Sequence, residues 1–72
     1  MEPLKFTTAN NPKGGVLYAY PRHIVAVAPL WVAGSNGDVI TANRAVLHLE
    51  GGTYWIVEGS PQEVMLRIAH GG

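Results

Sequence analysis

The sequence has no cysteine, few charges and no long apolar run, and each shortage removes a class of protein. Without cysteine there is neither a disulfide framework nor a thiolate zinc site. Only 14% of the residues are charged, and five basic residues balance five acidic ones. Lys5, Lys13, Arg22, Arg44 and Arg67 are scattered along the chain, whereas neutralising phosphates requires clustered cations, so no nucleic-acid partner is expected. No apolar run approaches the ~18 residues of a membrane span. Met1-Glu2-Pro3-Leu4-Lys5 lacks the basic-then-apolar order of a signal peptide. The expectation is a cytoplasmic protein, of a bacterial cell or a phage-infected host.

Catalytic motifs are missing too. There is no Gly-x-Ser-x-Gly elbow, phosphate-cradling glycine loop or His-Glu-x-x-His. His23, His48 and His70 share no ligand spacing. His23 reads as a surface partner of Glu50, His48 as stacking on Trp55, and His70 as a cation at a helix C-terminus. Neither metal nor cofactor nor enzymatic activity is expected.

What the chain does have is 47% hydrophobic residues over a length of 72, enough for one domain spanning 1–72. A chain of this size buries only about 60% of its unfolded surface and is marginal unless stapled. With disulfides excluded, oligomerisation is the remaining staple.

Turn signals divide the sequence into an α+β, mainly β domain: a four- to five-stranded antiparallel meander or small open barrel with one C-terminal helix. Strands are expected at about 4–8, 16–20, 24–32, 38–50 and 53–58. Asn10 to Gly15 forms the first loop. Pro21 stops the second strand, and Pro29 implies an edge, a bulge or a bend in the third. Asn36-Gly37 and Gly51-Gly52 read as the central residues of two hairpin turns, with 38–50 one long strand bent near Asn43. Ser60-Pro61-Gln62-Glu63 carries an N-cap, a first-turn proline and a capping-box glutamate. A helix over about 61–70 follows, with Val64, Met65, Ile68 and Ala69 on one face and Gly71 as its stop.

Counting outward from the two turns sets Leu49 opposite Tyr54, His48 opposite Trp55, Leu47 opposite Ile56 and Val46 opposite Val57. On the other side Ile24 faces Leu49, Val25 faces His48, Ala26 faces Leu47 and Val27 faces Val46. One face then carries Ile24, Ala26, Leu47, Leu49, Tyr54 and Ile56. The other carries Val25, Val27, Val46, His48, Trp55 and Val57. Both are apolar, although a half-buried antiparallel sheet ordinarily alternates apolar with polar. One helix covers one face, which leaves the second to the N-terminal strands or to another copy of the chain. Leu66 points away from the Val64/Ile68 face as an exposed contact residue.

Tyr20, Arg22, Trp31, Arg44, His48, Trp55 and Leu66 are the interface or ligand candidates. Aromatic residues and arginine dominate interface hot spots, and the same chemistry stacks on and pairs with a planar anionic ligand. Equally, Tyr54 and Trp55 are read as filling the core.

Tyr18, Pro21, Ile24 and Val27 resemble the aromatic-x-x-Pro-x-x-Ile-x-x-Ile stretch of small flagellar FlbD-family proteins. Leu49, Gly52, Trp55, Val57, Ser60, Glu63 and Val64 resemble that family's C-terminal Leu-x-x-Gly-x-x-Tyr-x-Val-x-x-Ser-x-x-Glu-Val pattern. The two segments span about two-thirds of the chain in the family's order, with Trp55 where Tyr is usual and an insertion around Leu30 to Arg44. The resemblance implies a short β-meander followed by a helix, and a cytoplasmic, non-enzymatic role near motility. Two expectations of function follow. The first is a homo-oligomeric module that binds another protein. The second is a phage-encoded protein directed at host defence, sequestering a nucleotide-like signal between protomers through Arg22, Arg44, Trp31, Trp55 and Tyr20.

Overall fold

The computed structural model describes residues 2–9 and 13–71, with the side chains of 38–42 and 71 left out of account. Positions 10–12 of the expected first loop lie outside the described residues. Five strands form: β1 (Leu4–Thr7), β2 (Val16–Ala19), β3 (Ile24–Gly34), β4 (Gly37–Leu49) and β5 (Tyr54–Glu58), followed by helix α1 (Pro61–Gly71). All pairings are antiparallel, in a two-stranded sheet β1-β2 and a three-stranded sheet β3-β4-β5. The fold is mainly β with one C-terminal helix, as expected, and it is not a closed barrel. A bridge between Thr8 and Val57, with Ala9 N–H donating to Ile56 O at 2.8 Å, joins the two sheets where β1 passes β5.

The capping box forms. Glu63 N–H donates to Ser60 Oγ at 3.1 Å, and the Ser60 hydroxyl donates to Glu63 Oε1 at 3.2 Å. This satisfies one of the orphan donors of the first turn. The helix runs through Gly71 rather than stopping before it. It packs on β1, β3 and β4, and its Val64 enters a core of Phe6, Ala19, Ala45, Leu47 and Val57. Arg67 fastens the helix to β1, its guanidinium lying 4.5 Å from the Phe6 ring centroid and donating to Lys5 O. Only part of the expected apolar helix face is buried. Val64 is buried and Ile68 half-buried, but Met65 and Ala69 are exposed.

Two turns differ from the sequence reading. The β3-β4 loop centres on Ser35-Asn36, because Gly34 pairs with Gly37; Gly37, at φ 111°, closes the turn, the place glycine favours at the end of a type I turn. The β4-β5 loop has three residues, Glu50–Gly52, with Leu49 N–H donating to Thr53 O at 2.8 Å. Gly51 and Gly52 both sit at φ 86°. That additional loop residue shifts β5 by one, so Leu47 pairs with Trp55, His48 with Tyr54 and Val46 with Ile56. Since side chains alternate with period two, the shift exchanges the two faces of β5.

On β3 the expected pair Ile24↔Leu49 forms, but Val25 is skipped and Ala26 pairs with His48. The register shifts again between Pro29 and Trp31. Leu30 there stands opposite residues 41–44 of β4 in the bulged ladder. The expected disturbances at Pro29 and Asn43 are thus one feature, an irregular step between the base of the β3-β4 hairpin and its outer half.

Candidate interaction surface

With the observed register, one face of the three-stranded sheet carries Ile24, Val27, Ala45, Leu47, Leu49, Trp55 and Val57. Ala45, Leu47 and Val57 are fully buried there, and Ile24, Val27, Leu49 and Trp55 pack around them. The helix lies on this side. The opposite face carries Ala26, Ala28, Val46, His48, Tyr54 and Ile56. None of these six is buried, and Tyr54 is 61% exposed. The expectation of two apolar faces therefore holds, with their membership corrected: Trp55 and Val57 belong to the core, and Tyr54 and Ile56 to the outer face. His48 accordingly lies beside Tyr54, ring centroids 6.1 Å apart, and not on Trp55. Trp55 fills the core as read; Tyr54 does not.

The remaining candidates fall in separate places. Tyr20 and Arg22 flank the turn that opens β3, with the Arg22 guanidinium 5.7 Å from the Tyr20 centroid. Beside them His23 Nδ1 is 3.1 Å from Glu50 Oε2, the surface pair anticipated from sequence. Arg44 Nε donates to Glu58 Oε1 at 3.0 Å across β4 and β5. Trp31 projects from the outer half of the hairpin, 57% exposed. Leu66 is 59% exposed on the helix, lining a groove of about 530 Å³ with Pro61, Gln62, Met65 and Ala69. Within one chain these side chains do not converge on a pocket: Trp55 is in the core, Arg44 holds Glu58 and Trp31 stands on the arm.

Sequence reasoning passed over Val25, Met65 and Tyr18. Val25 reads as an ordinary strand residue, but skipping it in the ladder turns it outward. Met65 sits at core spacing on a helix whose neighbouring strand is too short of side-chain volume to enclose it. It lines a second groove, of about 300 Å³, with Ile24, Val25, Ala26, Val27 and Ile68. Tyr18 was legible, since alternation along β2 puts Val16, Tyr18 and Tyr20 on the solvent side.

Among the described residues no three His, Cys, Asp or Glu side chains gather where a metal would sit, and no helix is long and apolar enough to cross a membrane. Compared with protein-family models, curated proteins and solved structures, the chain matches none.

Proposed function

We propose that this chain is a small, non-catalytic protein that self-associates and acts by binding another protein. The observation that carries the reading is the outer sheet face of Ala26, Ala28, Val46, His48, Tyr54 and Ile56, apolar in five of its six side chains and covered by no described element. Monomeric proteins rarely leave contiguous apolar patches above a few hundred Å² uncovered. Its composition suits recognition: aliphatic side chains around one aromatic and one imidazole, with no charge to desolvate at the centre. The resemblance to FlbD-family proteins adds a setting near flagellar motility to this proposal. Light scattering at micromolar concentration tests it. An oligomer is expected, and a strict monomer that binds no apolar dye would overturn the reading.

A second reading rests on the Tyr20–Arg22 contact. Exposed Tyr18 and Tyr20 on one strand face, with Lys5 opposite Tyr18, present aromatic faces beside two cations, a surface fit for a nucleotide held between protomers. A thermal shift with cyclic or ADP-ribose-type nucleotides tests it, since a ligand at 100 times its Kd adds about 2.7 kcal/mol. No shift across that panel would contradict it.

A further inference from the structure

The β3-β4 hairpin outgrows the rest of the molecule. β5 pairs with β4 only from Arg44 to His48, so the four pairs from Trp31↔Ile40 to Gly34↔Gly37 have no third strand beside them. The chain measures 43 × 23 × 21 Å, with a radius of gyration of 12.3 Å, against about 11 Å for a compact chain of this length. Its accessible surface is 4792 Å², about 450 Å² more than the roughly 4,300 Å² of a compact monomer of its mass. A free two-stranded hairpin is marginal in water, yet this one carries exposed Trp31 and Val32.

At the base of the same strand lies the groove between β3 and α1, where Val25 is 63% exposed beside Met65. Val25 and Trp31 are six residues apart, about 20 Å along a strand. A two-fold axis beside Ala28, midway between them, exchanges the two positions.

We propose, extending the reading above and resting on it, that two copies of this chain associate about such an axis along the free edge of β3. Each arm then lays Trp31 against Val25 and Met65 of the other copy. A two-fold contact is self-complementary and closes at two subunits, whereas an arm inserted head to tail would propagate. The arm and the groove recur at one spacing on one strand, which a second copy satisfies twice and an unrelated partner has no reason to match. Area agrees. A stable interface takes about 800 Å² from each partner, about one-sixth of the 4792 Å² available, and the arm and the groove together supply it. Pro29 lacks an N–H and Val25 is bulged, both of which blunt a continuous ladder at an edge. Side-chain packing dominates this contact.

The absence of native cysteine makes the test direct. Ala28→Cys is oxidised under mild conditions, beside Lys13→Cys on the far β1-β2 turn as a control. Val25→Lys and Trp31→Lys, both at exposed positions, are followed by sedimentation velocity, with circular dichroism checking the fold. Rapid covalent dimer from Ala28→Cys alone, and dimer dissociation constants raised about 30-fold or more in both lysine variants, is the expected result, a hot-spot-sized loss. A wild-type oligomer unaffected by either lysine, with no faster cross-linking at position 28, overturns this arrangement while leaving self-association standing. A monomeric wild type overturns both.

Discussion

Gly51 and Gly52 set which side of β5 faces the core, and changing them separates local strain from register. Both have φ of 86°, and a Cβ built at either meets nothing within 4 Å. Gly52→Ala therefore costs only the left-handed backbone, about 1–2 kcal/mol. A chemically synthesised chain with D-alanine at position 52 is at home at positive φ and is expected to match or exceed wild type by up to about 1 kcal/mol, by restricting the unfolded chain. Deleting Gly52 is different in kind. A two-residue loop favours the register that turns Val57, now fully buried, and Trp55 outward and brings Tyr54 and Ile56 in. Exposing two such side chains costs about 1.5–3 kcal/mol each; that is 3–6 kcal/mol in all, against a total stability of about 4–11 kcal/mol for a domain of 72 residues. Urea unfolding followed by tryptophan fluorescence measures all three variants. A deletion variant within about 1 kcal/mol of wild type, or D-alanine as damaging as L-alanine, would refute the assignment of register to this loop.

Removing the helix cap with Ser60→Ala loses the Glu63 N–H contact and should cost about 1 kcal/mol by thermal unfolding; Ser60→Asp should retain most of the stability. Leu47→Ala, at a fully buried position, should cost about 2–5 kcal/mol in urea and bring the chain close to unfolding. Glu58→Gln breaks the Arg44 pair, whose side chains are more than 40% exposed, and should change stability by less than about 1 kcal/mol; a larger loss would give that pair a role this account denies it.

The strands, the helix and its cap were legible because their signals are local. Ser60 followed by Pro61 and Glu63 states a helix start with no knowledge of the rest of the chain, and alternation from Val16 to Tyr20 states a strand with one wet side. Register was not legible in the same way. Gly51-Gly52 suits a two- or three-residue loop equally well, and Asn36-Gly37 suits a turn centred on either side of Asn36. One residue of difference moves Trp55 from one face to the other. What decides is remote: the bridge from Thr8 to Val57 and the packing of Val64 on Leu47 and Val57. The apolar character of both faces survived the error because Tyr54, Trp55, Ile56 and Val57 are all apolar enough to serve on either side. Leu66 was found by helical periodicity. Met65 was misassigned by the same rule, because the count gives a face and says nothing of whether enough protein stands opposite to bury it.

The central claim is that a second copy covers surface this chain cannot cover itself, and the concentration dependence of the unfolding temperature tests it most directly. Over a 100-fold rise in protein concentration, mass action stabilises a dimer by about 2.7 kcal/mol, or about 1.4 kcal/mol per chain. That corresponds to a Tm increase of about 5–10 °C for a domain of this size. A Tm that rises by this amount is the predicted result; one that stays constant from low micromolar to several hundred micromolar would contradict it.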